Sequence, residues 1–238
     1  MLGVLVALGL SWLLLWLVSK EHITALGLRP TAPRLREFAI GASVMAIFCV
    51  VNLLGQAYFT QTHYTVDPNY GLARGLEATW WTFKAALFEE LIFRGALLFL
   101  LIKRFGINRA CIVSAIAFGI YHWFSYGLWG GRIIPMIFVF LLTGASGYMF
   151  ALAFAKTRSL YASFGLHFGW IVVSIVVFSA GPLGSQLLVP GGDIVELNEW
   201  ANLGFFVWQT LIVPGVVIGY LRKRYPTPPS EPSAPESP

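Results

Sequence analysis

The sequence predicts an all-α fold: a polytopic transmembrane helix bundle of about seven spans, with its amino terminus outside the cell and its carboxyl terminus in the cytoplasm. Three observations predict this class. Hydrophobic residues make up 57% of the 238 residues and charged residues only 11%, with a mean hydropathy of +0.72, whereas about a quarter of an average soluble protein is charged. The apolar residues form long runs, and the basic residues fall between those runs on one side.

Seven apolar stretches are long enough to cross a bilayer, whose hydrocarbon core needs about 20 residues per helix. The fourth stretch is the weakest, because its apolar run thins after Trp123. The first lacks a basic region before its apolar run and a small-residue cleavage site, which favours a retained helix over a removed signal peptide. The predicted spans are Leu2 to Val18, Phe38 to Phe59, Leu76 to Leu101, Ala110 to Trp129, Ile133 to Ala155, Leu160 to Ala180 and Ala201 to Leu221.

The lysine and arginine residues orient these spans, since cytoplasmic loops carry the excess of basic residues in membrane proteins. Of the 16 basic residues, only Arg74 and Arg132 lie in one set of loops, while Lys84 and Arg94 lie within the third span. The remaining 12 lie in the opposite set, which we therefore assign to the cytoplasm. The chain is therefore predicted to be a multi-pass protein located in the plasma or inner membrane.

One membrane domain is predicted over residues 1–224, followed by a disordered, Pro-rich cytoplasmic tail over residues 225–238. The tail is rich in Pro, Ser and Glu and cannot bury a core. In the fifth span, small residues at Gly147, Ala151 and Ala155 form a stripe that lets helices pack closely. The lipid bilayer is an expected partner, whereas nucleic acid is not, because the basic residues do not cluster with aromatic residues on a soluble patch.

Charged residues interrupt the third span, where only lipid-compatible side chains are expected. A charge at the bilayer centre costs about 2.5–3.5 kcal/mol on insertion scales, so such residues usually face a cavity or a partner. Glu90 and Arg94 are four residues apart and can pair, whereas Glu89 is turned by about 100°. Glu90 is then a structural carboxylate and Glu89 is free for chemistry. A buried ion-pair cluster that only fixes helix packing explains the same residues, and Lys84 can extend its long stem to the membrane surface.

Two histidines lie in later spans. His122 ends the stretch FGIYH, and His167 lies between Gly165 and Gly169, which leave room for another backbone or a substrate. A single histidine in a membrane helix usually just makes a hydrogen bond to a neighbouring helix. At about 1.5 Å of rise per residue, Glu89, His122 and His167 lie roughly 22, 20 and 16 Å from the basic cytoplasmic ends of their spans. Ordinary tilts bring these depths together, and a carboxylate with two imidazoles at one level is typical of a hydrolytic site.

The motifs resemble those of a known family. EELIFR, from Glu89 to Arg94, resembles the motif EExxxR, and FGIYH, from Phe118 to His122, resembles FxxxH. His167 occupies the place of the last histidine motif of the CPBP intramembrane proteases. That family includes type II CAAX prenyl endopeptidases, bacteriocin-processing proteins and bacteriocin self-immunity proteins. The LGLRP stretch before the second span is similar to the family's linker, and the family core is expected over about residues 75–180.

The resemblance implies hydrolysis of a peptide bond in a membrane-embedded or lipidated peptide or protein. Glu89 is similar to the family's catalytic glutamate, a general base for a water molecule. His122 would orient or share that water, and His167 would stabilise the oxyanion of the tetrahedral intermediate. Three further motif residues would support the site or shape its wall: Glu90, Arg94 and Phe118.

Metal dependence stays open. A catalytic zinc site has three protein ligands and a water, and Glu89, His122 and His167 could be the three ligands. A metal-free glutamate mechanism uses the same atoms. The motif is not HExxH, and no spacing in the sequence demands a metal, so no cofactor is certain.

One position departs from the family. Its last motif usually reads HxxxN or HxxxD, whereas this chain has Ile171, which cannot donate a hydrogen bond. Either the oxyanion site is weaker, another polar group such as Ser174 or Gln209 substitutes, or activity is lost. Ser174 more often bonds its own helix. The alternatives to an active endopeptidase are therefore a catalytically inactive membrane scaffold or bacteriocin-immunity protein, and a proton or ion carrier, although no inverted repeat supports a carrier.

Overall fold

A computed structural model of the chain describes residues 1–178, 183–192 and 195–226. Within these ranges two π-helical segments, Val172–Val177 and Trp208–Ile212, extend or join α-helices. Two short strands are β1 (His63–Val66) and β2 (Leu188–Gly191). The α-helices are α1 (Leu2–Ser19), α2 (Ala32–Thr60), α3 (Leu72–Phe93), α4 (Ala96–Ser125), α5 (Ile133–Thr157), α6 (Leu160–Ile171), α7 (Glu199–Val207) and α8 (Val213–Arg224).

Five helical segments are long and apolar enough to cross a membrane: α1, α2, α5, α6 with its π-helical extension, and the continuous run from α7 to α8. They correspond to five of the predicted spans, which supports an α-helical membrane bundle. The other two predicted spans fall in α3 and α4, where charged residues interrupt the apolar surface. The predicted end of the sixth span at Ala180 lies outside the described residues, as does the predicted tail beyond Pro226.

The third predicted span is wrong as a single helix. Arg94 and Gly95 leave the helical conformation, with φ −119° at Arg94 and ψ −135° at Gly95, so that α3 ends before them and α4 begins after them. A Cβ atom at Gly95 would overlap the carbonyl oxygen of Leu91, and only glycine therefore fits this turn. The break leaves Glu89 and Glu90 in the last turn of α3.

The fourth predicted span, Ala110 to Trp129, is also displaced. The helix begins earlier, bends at Gly106, where φ is +77°, and ends at Ser125. A positive φ is accessible to glycine without a steric penalty. The C-terminal part of α4, after this bend, carries Phe118 and His122 into the bundle, where both side chains are buried.

A small antiparallel sheet adds to the all-α prediction. β1 pairs with β2, with His63 opposite Gly191 and Val66 opposite Leu188. The strands belong to the loop between α2 and α3 and the loop before α7, which the sequence assigned to the same side of the membrane. Their pairing brings those two loops together at one end of the bundle.

α6 packs against α2 at very short range, and this contact fixes the position of His167. A Cβ atom at Gly165 would overlap the carbonyl oxygen of Phe38, and one at Gly169 would overlap that of Ala42. The space predicted beside His167 is therefore filled by another backbone rather than left open on that face. The imidazole projects from the opposite side of a helix whose glycines allow this close approach to α2.

Candidate active site

Glu90 and Arg94 form an ion pair at the centre of the site, as their spacing predicted. Arg94 Nη1 lies 3.1 Å from Glu90 Oε1, and both side chains are 0% exposed. Arg94 Nη2 also donates to the carbonyl oxygen of Gly147 at 3.3 Å. The guanidinium lies 4.1 Å from the centroid of the Phe118 ring and 5.2 Å from that of Phe150, within the range of cation–π attraction. Because arginine stays protonated in proteins, Glu90 supplies the buried countercharge.

His167 lies between the two glutamates. Its Nδ1 is 3.0 Å from Glu90 Oε1, and its Nε2 is 3.8 Å from Glu89 Oε2. The imidazole stacks on Phe150 with centroids 4.9 Å apart and an interplanar angle of 19°. An ionised carboxylate only accepts hydrogen bonds, so Nδ1 carries a proton and donates it to Glu90. The Nε2 edge faces Glu89 across a gap that is too long for a direct hydrogen bond.

His122 is oriented by its own helix. Its Nδ1 lies 2.8 Å from the carbonyl oxygen of Phe118, and since a carbonyl only accepts, Nδ1 must be the donor. The Nε2 atom of the neutral ring therefore carries the free lone pair. The Phe118 ring is close to both histidines, with its centroid 4.5 Å from that of His122 and 5.9 Å from that of His167. Both imidazoles are thus held by an Nδ1 hydrogen bond and contact one aromatic side chain.

A cavity of about 110 Å³ lies beside the two histidines. Its wall includes His122, His167, Ile171 and Gln209. Since one water occupies about 30 Å³ of liquid volume, the cavity has room for a few waters or a small part of a substrate. Glu89 does not line it; that carboxylate reaches the histidine from another side and is 19% exposed.

Residues 75–173 match the family model described as type II CAAX prenyl endopeptidase Rce1-like. The chain contains an Rce1-like domain. The match confirms the family resemblance that the sequence motifs indicated, and it supports a protease of the CAAX type in the membrane. No curated protein and no solved structure matches the chain.

The Rce1-like domain brings four of the predicted residues into one chain of contacts, from Glu89 through His167 and Glu90 to Arg94. His122 shares the cavity wall with His167, but within the described ranges no ion pair joins it to Glu89. The predicted role of His122 beside Glu89 therefore requires a water or substrate atom between them.

The three residues named as a metal-ligand set do not form a metal site in this arrangement. Over the part of the chain that the structure describes, no group of three His, Cys, Asp or Glu side chains is spaced to hold a metal ion. Glu89 and His167 approach to 3.8 Å, whereas His122 makes its Nδ1 hydrogen bond to the Phe118 carbonyl oxygen. The donors present do not fit a three-ligand zinc site.

The two candidates for replacing the family's Asn or Asp differ in position. Ser174 Oγ donates to the carbonyl oxygen of Ile171 at 3.3 Å, so its hydroxyl is used within its own helix. Gln209 lines the cavity beside Ile171. Its Nε2 donates one hydrogen to the carbonyl oxygen of Phe205 at 3.2 Å, and a carboxamide nitrogen carries a second.

Sequence reasoning missed the contribution of α5 to the Rce1-like site. Thr143, Ser146 and Phe150 all line the cavity, and Phe150 contacts both His167 and Arg94. Their spacing of three and four residues places them on one helical face. That polar and aromatic face within an otherwise apolar span was the available signal.

Proposed function

We propose that this chain is an intramembrane endopeptidase that hydrolyses a peptide bond of a membrane-embedded or lipidated peptide or protein. The observation that carries the proposal is the contact of His167 with Glu89 on one edge and with Glu90 on the other, inside an Rce1-like domain. A packing role alone explains Glu90 and Arg94. It gives no reason for a second, partly exposed carboxylate 3.8 Å from the outer edge of the imidazole.

In the proposed mechanism His167 carries a hydrogen on both ring nitrogens, one for Glu90 and one for the oxyanion. Two carboxylates, Glu89 and Glu90, face one guanidinium, that of Arg94. An imidazolium at His167 completes charge balance within this buried group, where an unbalanced charge is costly. In that state Nε2 carries a proton and is a donor toward the gap beside Glu89.

Glu89 is the proposed general base. A water in the gap between Glu89 Oε2 and His167 Nε2 gives a proton to the carboxylate while its oxygen bonds to the carbonyl carbon of the substrate. The C=O electron pair moves onto oxygen, and the His167 Nε2–H donates to that oxyanion. Collapse of the tetrahedral intermediate breaks the C–N bond, and Glu89 returns the proton to the leaving amine. His122 accepts a hydrogen bond from the water through its free Nε2 lone pair.

Gln209 is the proposed second donor for the oxyanion. Ile171 lines the same cavity but has no hydrogen to donate. The second Nε2 hydrogen of Gln209, which the Phe205 carbonyl does not use, supplies a donor from a different helix. The chain would thus replace the usual Asn or Asp of the family motif by a residue distant in sequence.

We further propose seven membrane crossings, with the amino terminus outside and the carboxyl terminus in the cytoplasm of a plasma or inner membrane. The excess of basic residues on one side supports this orientation. The pairing of β1 with β2 supports the common side of the two loops that carry them. In this arrangement α3 and the second part of α4 complete the bundle around the site.

The proposal is tested by cleavage of a fluorogenic peptide library by the purified protein in liposomes. Glu89→Gln removes the base and should lower kcat about 10²- to 10⁴-fold, the range for general acid–base groups. His122→Ala should also lower kcat. Glu77→Gln is the matched control, since it makes the same change at an exposed position of α3 and should leave kcat within about twofold of the unaltered protein.

Cleavage that survives both Glu89→Gln and His122→Ala would refute the assignment. If the unaltered protein cleaves nothing and Ile171→Asn creates proteolysis, the chain is a non-catalytic member of its family. That result would leave the geometry intact and remove the oxyanion role of Gln209.

A further inference from the structure

A second cavity lies between α2, α6 and α8, apart from the catalytic residues. Its volume is about 460 Å³, within the range of about 300–1,000 Å³ that is usual for small-molecule sites. Glu89, His122 and His167 are not among its lining residues. Much of its lining is aliphatic and comes from three helices, with Ile40 and Val216 on the exposed side: Ile40, Val44, Leu166, Val216, Val217 and Leu221.

The other end of this cavity is polar and basic. Arg36, near the start of α2, and Arg224, at the end of α8, both line it and are exposed. Glu37 lies there too, and the hydroxyl of Tyr225 donates to Glu37 Oε1 at 3.0 Å. Burial and the nearby Glu37 carboxylate raise the pKa of Tyr225 to about 12, so its hydroxyl remains a donor at physiological pH. The single lining carboxylate, Glu37, therefore already accepts a hydrogen bond from Tyr225. The two guanidinium groups leave this end of the cavity with a net positive charge.

We propose that this cavity binds one anionic phospholipid, with an acyl chain between α2, α6 and α8 and the phosphate at Arg36 and Arg224. Aliphatic walls that end in cationic groups match the division of a phospholipid into a chain and a charged headgroup. Arginine binds phosphate through two parallel hydrogen bonds, and basic pockets between transmembrane helices recognise anionic headgroups. A zwitterionic headgroup offers a cation beside its phosphate and is matched less well.

The position of the cavity agrees with this occupant. Arg36 and Arg224 lie at the ends of two apolar helices that can span a membrane, where headgroups meet the hydrocarbon. The mouth faces the leaflet that the proposed orientation makes cytoplasmic, in which anionic lipids are enriched. The tie between Tyr225 and Glu37 joins the ends of α8 and α2 beside the site, so that a bound lipid would bridge helices already held together.

The test is native mass spectrometry of the purified protein titrated with dioleoyl phosphatidylglycerol or dioleoyl phosphatidylcholine, which share their acyl chains. Phosphatidylglycerol should bind at least tenfold more tightly. Arg36→Gln combined with Arg224→Gln should weaken it roughly 30-fold, from the typical contribution of two basic residues at a membrane surface. The pair Arg222→Gln with Lys223→Gln is the matched control: it removes the same charge from the same end of α8 outside the cavity, and should change binding less than threefold.

Three outcomes would overturn the proposal. Equal affinity for the two lipids would remove headgroup recognition. Unchanged phosphatidylglycerol binding in Val216→Trp, which places a bulky ring in the cavity wall, would locate the lipid elsewhere. A gain of more than tenfold on deletion of residues 227–238, which carry Glu231 and Glu236, would make the chain's own carboxyl-terminal segment the occupant. Glu89→Gln should leave lipid binding unchanged, because Glu89 does not line this cavity. The assay measures lipid binding and not cleavage, so a failure of the proposed proteolysis would not affect the result.

Discussion

Replacing Arg94 by methionine should destabilise the protein more than almost any other single change in the bundle. Methionine has a similar length and no charge. The Glu90 carboxylate, which is 0% exposed, then has no guanidinium partner. The substitution also removes the hydrogen bond to Gly147 and the contacts with the Phe118 and Phe150 rings.

The size of the effect follows from the burial of both charges. Breaking a buried ion pair by removing one partner costs about 3–5 kcal/mol, because the remaining charge stays uncompensated. For a chain of this length, 1 kcal/mol corresponds to a Tm change of about 2–4 °C, so Arg94→Met should lower Tm by roughly 6–20 °C. The double variant with Glu90→Gln should recover at least about 2 kcal/mol, since replacing both charges is often nearly neutral. Glutamine also keeps an oxygen that accepts from His167 Nδ1.

Thermal unfolding in detergent micelles, followed by the fluorescence of the nine tryptophans, measures these differences in Tm. Arg109→Met on the exposed surface of α4 is the control and should change stability by no more than about 0.5 kcal/mol. A loss of less than about 3 °C in Arg94→Met, or a double variant less stable than Arg94→Met alone, would refute the reasoning, because the pair would not then carry uncompensated charge.

Gln209→Leu should lower kcat about 10²-fold with little change in KM, because it removes a hydrogen bond made only to the oxyanion; steady-state kinetics on a cleaved peptide measures this, and an unchanged kcat would exclude the role. Gly169→Ala should cost about 1–3 kcal/mol through overlap with the α2 backbone, as measured by thermal unfolding, whereas Gly204→Ala, which has open space around it, should not destabilise. In intact cells, Thr65→Cys should react with a membrane-impermeant maleimide and Lys223→Cys only after permeabilisation, and the reverse pattern would invert the proposed orientation.

Hydropathy predicted most of the bundle from the sequence, and it missed the feature that builds the site. The run from Leu76 to Leu101 contains no proline and continues apolar after Arg94 and Gly95, so an average over some 20 residues cannot separate a continuous helix from two helices joined by a turn. The turn is caused by the close approach of Gly95 to the Leu91 carbonyl, which is a property of the backbone path. A glycine within an apolar run was a signal, although glycine is common in membrane helices.

Helical periodicity predicted the pairing of Glu90 with Arg94, because the two are four residues apart on one helix. It could not predict that His167 contacts the same carboxylate, since that hydrogen bond joins residues 77 positions apart. The placement of His122 beside Glu89 came from their similar depth along the spans, and it stays a prediction. Equal depth in a membrane constrains only one coordinate, and the rotation of each helix decides whether two side chains meet or stand apart.

Glu90 shows why the structural and the catalytic interpretations of this cluster need not compete. The oxygen that lies 3.1 Å from Arg94 Nη1 is the same oxygen that accepts from His167 Nδ1. The ion pair that holds helices together thereby fixes which nitrogen of His167 carries the first proton and directs the Nε2 edge toward Glu89. A buried pair can add little net stability, and here it also orients the imidazole. Burying the Glu90–Arg94 pair costs desolvation free energy, and the same pair holds His167 in the orientation that the proposed hydrolysis requires.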